Sequence, residues 1–201
     1  DGYQGEDIKD LAKEYADLNG DSLVNVSAEV RKKALVDYAL PKNIKKMQAD
    51  MEKYKIFYDK WFFESELHKS GAVKAVVDLL TKKGLTYEKD GAVWYKNKEV
   101  LTQKLLKEGK SQKYIDNLEL KDDVLIRQNG NPTYFTADIA YHKNKFDRGF
   151  TTLIDVWGAD HHGHVMRMKG AMDAIGYDGD KLNVVLMQLV KLVKDGELVR
   201  M

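Results

Sequence analysis

The sequence predicts a mixed α/β protein: a mostly helical first part, residues 1–123, followed by alternating strands and helices over 124–201. Three observations predict it. Apolar residues recur at helical spacing through the first sixty positions, short β-branched runs alternate with helical stretches from residue 124, and glycines or Asp-Gly pairs punctuate the joins. Short strands separated by helices point to a parallel sheet with helices packed on it, and ligands of such sheets gather at the C-terminal strand ends.

Ile8, Leu11, Ala12 and Tyr15 fall on one helical face, as do Ile44, Met47, Met51, Tyr54 and Tyr58. Pro41 cannot donate a backbone bond inside a helix, so a break between two helices is expected there. The aromatic-rich "IFYDKWF" (56–62) reads as extended, whereas Val73, Val76, Val77 and Leu80 predict a helix ended by Gly84. In "YEKDGAVWY" (87–95), Asp90-Gly91 between β-favouring residues predicts a tight hairpin. Residues 96–123 are the most charged part of the chain and read as an exposed, mobile connection carrying one helix. Beyond them "VLIR" predicts a strand, 133–146 a helix, and "TTLIDVW" a strand. Residues 163–175 predict a helix with Val165, Met168, Met172 and Ile175 inward and Gly176 as its stop. "LNVVLMQLVKLV" then reads as a strand that "KDGELVRM" turns back through Asp195-Gly196.

A chain of 201 residues with 43% hydrophobic content supplies one sizeable core, or one core with a smaller lobe, and is not a disordered polymer. Thirty-three basic against thirty-two acidic residues leave a net charge of +1, so any basic surface is local and overall charge points to no nucleic-acid partner. The absence of cysteine removes disulfides and thiolate metal sites, and this fits a reducing cytoplasm. No apolar run reaches the length of a membrane helix, and the start of the sequence lacks the pattern of a leader peptide. It also lacks an initiator Met, so the chain is expected to be a piece of something longer.

Two clusters carry chemistry. In "WGADHHGH" an apolar strand stops at a glycine, and an acid and histidines follow. Asp160, His161, His162 and His164, with His142, supply donors suited to zinc or iron; however, adjacent histidines point apart and no HExxH spacing occurs. A nucleotide reading therefore ranks above a metal one. Unpaired N–H groups at a helix start suit phosphates, Gly158 and Gly163 allow close backbone approach, and Asp160 can accept from a ribose hydroxyl or a substrate amine. The second cluster lies in "NGNPTYFTADIAYH", where Tyr134 and Asp138 are four apart and share a helix face. A ring beside a carboxylate suits a guanidinium; on spacing alone the alternative is a capped helix with Tyr134 in the core and Asp138 solvated. Trp61, Trp94 and Trp157 read as packing residues, and the lysine clusters at 42–46, 82–83 and 104–113 as solvated faces.

Together, "NGNPTYFTADIAYH", "IDVWGADHHGHVMRM" and "LVKLVKDGELVRM" closely resemble the arginyl-tRNA synthetases, a class I aminoacyl-tRNA synthetase family. "DGYQGEDIKDLA", "WFFESELHKSG" and "YEKDGAVWY" resemble that family's insertion between the two halves of its Rossmann-type nucleotide-binding fold. The resemblance implies that 1–123 is the largely helical insertion and 124–201 the second half of the catalytic domain. It implies an L-arginine site at Tyr134, Asp138 and Asp160, and an ATP site at Gly158, Asp160, His161, His162, Gly163, Val199 and Met201. The implied substrates are L-arginine, ATP accompanied by Mg²⁺, and tRNA(Arg), with no resident metal and a cytoplasmic location. The family's histidine signature would precede residue 1 and its Met-Ser-Lys loop would start at Met201, so no catalytic residue is assigned and the chain by itself is expected to be inactive. Gln128, Asn129 and Asn131 replace the family's common Ser, Asp and Thr around Gly130, and Ala137 stands where Arg is frequent. The competing class is a non-catalytic RNA- or protein-binding module built on a synthetase domain.

Overall fold

The computed structural model describes residues 5–188 and 190–199, and the chain divides into two units, 1–61 and 62–201. In the first, acidic Glu6 and Asp7 open helix α1 (Glu6–Asn19), complementing its positive end. Gly20, at φ 55°, ends it. Ser27 caps helix α2 (Ala28–Lys53) by accepting from the Val30 N–H. The helices meet through the edge-to-face rings of Tyr15 and Tyr38 and an ion pair between Lys42 and Glu14. Neither helix contains a buried residue. The break expected at Pro41 is absent, and α2 runs through it. The chain turns at 20–27 instead, where a left-handed glycine and a capping serine make a turn cheap, and the proline's missing bond is absorbed within 26 helical residues. Residues 56–61 leave the helix without joining a sheet.

The second unit begins with two short helices, α3 (Glu64–Lys69) and α4 (Ala72–Lys82); α4 buries Val73, Val76 and Leu80. Strands β1 (Thr86–Lys89) and β2 (Ala92–Tyr95) form the expected hairpin, with Asp90 and Gly91 both left-handed at φ 52° and 72°. The expected exposed connection is instead ordered. Helices α5 (Asn97–Lys107) and α6 (Gln112–Asp116) bury Asn97, Leu101, Leu105 and Ile115, because the apolar i, i+4 pair on α5 faces inward beneath its lysines.

The "VLIR" strand exists as β3 (Asp123–Ile126), but it pairs antiparallel with β2 and does not open a parallel sheet. Its other edge is satisfied locally: Leu125 O accepts from Thr133 N–H and the Thr136 hydroxyl, and Val124 O accepts from the Thr133 hydroxyl. Residues on both sides of 123 consequently lie in one unit. Helix α7 (Tyr134–Asp147), capped by Thr133, leads to strand β4 (Leu153–Gly158). A single 3-10 turn at Ala159–His161 joins β4 to helix α8 (His162–Ile175), which Gly176 stops at φ 103°.

The one parallel pairing among the described residues joins β4 to β5 (Leu182–Met187). Its inner face carries Leu153, Asp155 and Leu182 into a core with Ile139, Met168, Met172 and Leu80. Its outer face, Ile154, Val156, Val185 and Met187, is exposed. The long strand expected over 182–193 is divided: β5 ends at Met187, and β6 (Leu192–Lys194) pairs with β7 (Glu197–Val199) across Asp195-Gly196. The fold is mixed α/β with three small sheets among the described residues.

Candidate functional site

The end of β4 brings most of the chemistry-bearing residues to one place. At Gly158 a β-carbon would lie 2.4 Å from Asp160 Oδ1, so the missing side chain lets the 3-10 turn fold that acid back over the strand end. Asp160 and His161 are largely exposed, with Oδ2 and Nε2 3.8 Å apart. Gly163, in the first turn of α8, has no neighbour within 4 Å of a would-be β-carbon, so this helix start faces open space.

Trp157 organises the histidines. Its ring centroid lies 6.2 Å from that of His142, 6.4 Å from His161 and 5.3 Å from His164. A tryptophan read as plain packing is thus the wall against which three imidazoles stand. His164 Nε2 lies 3.2 Å from Asp138 Oδ2, joining α8 to the acid on α7.

Beneath this surface is a buried group that the sequence reading did not connect. His142 Nδ1 is 2.7 Å from the Asp138 carbonyl oxygen, and its Nε2 is 2.5 Å from Asp155 Oδ2. Lys145 Nζ donates to the other Asp155 oxygen at 2.7 Å. Burial pushes the Asp155 carboxyl up, but the bonds from His142 and Lys145 outweigh it and hold the group below the ordinary carboxylate range. His142, one of the residues considered for a metal, instead ties α7 to β4. The signal was an acid alternating with Ile154 and Val156 on a core-facing strand position.

Tyr134 and Asp138 occupy successive turns of α7 but serve different surroundings. The exposed Tyr134 lines a cavity of about 340 Å³ with Glu64, His68, Arg127, Asn131 and Ala137, whereas the Asp138 carboxylate meets His164. His162 and Gly163 line a separate cavity of about 590 Å³ with Asn97, Asp122, Asp123 and Arg167. There Arg167 forms a two-pronged pair with Asp123 and lies 4.9 Å from the Phe135 ring centroid. Burial raises the Asp123 carboxyl above its ordinary value despite the guanidinium beside it.

The turn carrying Gln128, Asn129 and Asn131 closes through Gly130 at φ 78°, with Asn131 N–H donating to Asn129 Oδ1 and Arg127 donating to the Pro132 carbonyl. Among the described residues no group of three or more His, Asp or Glu side chains is placed to hold a metal, and no helix is long and apolar enough to cross a membrane. Val199 closes β7, and Met201 lies outside the described residues.

No protein-family model matches the chain. Individual proteins do. It is 53% identical over all 201 residues to an arginine-tRNA ligase from Caldanaerobacter subterraneus subsp. tengcongensis and 50% identical to one from Ruminiclostridium cellulolyticum, in each case covering 33% of the relative. A crystal structure from Campylobacter jejuni, described as an arginyl t-RNA synthetase, superposes on the whole chain with a TM-score of 0.77 at 36% identity, over 40% of its own length. The arginyl-tRNA synthetase of Thermus thermophilus matches 93% of the chain and 37% of its own length at TM-score 0.60 and 17% identity, a likeness of fold alone. The chain spans about a third of the length of the curated relatives it matches and corresponds to a partial region of these aminoacyl-tRNA ligases.

Proposed function

We propose that the chain is the part of an arginyl-tRNA synthetase that forms the arginine pocket and one wall of the ATP site, within the second half of a Rossmann-type catalytic domain. The observation that carries the reading is 53% identity across every residue of the chain to an arginine-tRNA ligase. The site geometry supports it through the acid on α7 and the strand end with Asp160, His161 and an open helix start, which lie on connected elements.

On this reading Asp138 receives the guanidinium and Tyr134 flanks it. Asp160 accepts from the substrate amine or ribose, and Gly158, His161, His162 and Gly163 border the nucleotide, with Val199 and Met201 beside adenine. The arginine carboxylate attacks the α-phosphorus of ATP, which enters as its Mg²⁺ complex. Pyrophosphate leaves, and the acyl group passes from the adenylate to a terminal ribose hydroxyl of tRNA(Arg), in the cytoplasm. In-line phosphoryl chemistry of this kind depends on positioning and charge stabilisation, which is what these residues provide. The expected result for the 201 residues by themselves is no arginine-dependent exchange of pyrophosphate into ATP, and measurable exchange would overturn it.

The test is aminoacylation by the full-length protein with arginine, lysine and citrulline. Arginine alone should be charged, and Asp138→Asn should lower kcat/KM for arginine roughly 100-fold or more, the order of effect when one partner of a hydrogen-bonded charge pair is removed. No charging of any of the three by a folded protein would return the chain to the class of binding modules.

A further inference from the structure

Asp138 does not stand alone in its pocket. Among the described residues, the hydrogen-bond partner of its carboxylate is His164, whose Nε2 lies 3.2 Å from Oδ2. The imidazole is mostly buried and has two aromatic neighbours. Phe135 meets it edge to face at 5.6 Å between centroids, and the tilted ring of Trp157 lies at 5.3 Å. Phe135 is itself pinned, buried in the core and covered by Arg167, whose guanidinium is forked onto Asp123. Phe135 on α7 and Trp157 on β4 therefore fix the orientation of one ring, with Arg167 of α8 and Asp123 of β3 behind Phe135, and that ring holds one oxygen of an otherwise half-exposed acid.

A carboxylate on an exposed helical turn would sample several rotamers, and ordering it on binding would cost affinity. The His164 bond removes that cost beforehand. It also leaves the acid's receptivity intact, because a carboxylate has about four acceptor positions and the imidazole N–H occupies one. Oδ1 and the second lone pair of Oδ2 remain for a two-pronged guanidinium.

We propose that His164 is a positioning residue for arginine selection: a hydrogen-bond donor, packed against Phe135 and Trp157, that presets the Asp138 carboxylate for the substrate guanidinium. The inference rests on the reading of Asp138 as the acid that meets that group.

The experiment compares two variants of the full-length enzyme. His164→Gln places an amide N–H near the position of Nε2 but removes the ring, whereas His164→Phe keeps the ring contacts and removes the donor. The expected result is an arginine KM within about twofold of wild type for Gln and raised about tenfold for Phe, with kcat and the ATP KM little changed in both. Any other order overturns the proposal: Phe normal with Gln impaired makes the residue a packing element, and equal KM values for both make the bond to Asp138 incidental. Thermal unfolding of each variant separates a folding defect from a binding one. Failure of the wild-type enzyme to charge arginine breaks the underlying reading instead, and so is distinguishable from failure of the His164 assignment.

Discussion

Helices α2 and α7 are both amphipathic, yet α7 buries Phe135, Thr136, Ala137, Ile139, Ala140 and His142 within fourteen residues, while α2, at twenty-six, buries none. The first is fixed by what it touches: β3 hydroxyl bonds at its start, a buried acid in its middle, and α8 beside it. The second rests on one cap, the bonds of Arg31 to the Leu23, Val24 and Val26 carbonyls, a ring pair and an ion pair. The difference shows that length and pattern make a helix but lateral contacts make it rigid, and a binding site needs the rigid kind. Each residue assigned to amino-acid selection sits on α7 or on an element joined to it.

The largest effect separating the two helices should come from the buried acid that joins α7 to β4. Asp155→Ala removes the buried carboxylate that bonds His142 and pairs with Lys145, at an expected cost of about 3–5 kcal/mol. The same group sets a pH dependence. Its folded pKa is depressed, so its contribution is present above the unfolded value near 4 and is lost as pH falls through the folded value. Asp155→Asn, which cannot ionise, should therefore melt well below wild type at pH 7, with the gap narrowing by pH 3. A gap independent of pH would mean that the carboxylate acts by shape and not by charge.

A smaller pair of changes tests packing directly. Leu80 is fully buried in α4, and Leu80→Ala should cost about 3 kcal/mol in urea unfolding through lost transfer energy and the cavity left behind. Leu40 on α2 is 48% exposed, and Leu40→Ala should cost about 0.5 kcal/mol or less. Comparable losses at the two positions would show that α2 has a packing partner in solution.

Much of this was legible in the sequence, and what was not has a common cause. The Asp90-Gly91 hairpin, the α4 face ended by Gly84, the Thr133-started helix and the stop at Gly176 all follow from local chemistry, and the structure contains them. The order in 96–123 was missed because lysines outnumber the Leu101–Leu105 pair that buries it, and the space that admits this pair comes from Gly170, where a β-carbon would sit 2.6 Å from Leu101 Cδ2. That glycine lies some seventy residues away along the chain. The antiparallel pairing of β3 was missed for the same reason, since alternation identifies a strand but not its neighbour. At the site, Asp138 and the strand-end cluster were visible as residue types. The contacts were not: Asp138 with His164, His142 with Asp155 and the imidazoles with Trp157 each span elements that only the fold brings together.

An effect of the opposite sign concerns the residue on which sequence and structure disagree most plainly. Pro41 was expected to divide two helices, and α2 continues through it. A proline there still lacks the N–H that would reach the Asp37 carbonyl, and its ring crowds that turn. Pro41→Ala restores the bond and relieves the crowding, offset in part by the greater freedom of the unfolded chain. The net gain should be about 1 kcal/mol, confined to α2, and read by hydrogen exchange as roughly fivefold stronger protection of the amides around residues 38–45 with α7 unchanged. Unaltered protection would mean that α2 is already held by contacts outside its own backbone, and the contrast with α7 would then lie in the kind of partner each helix has.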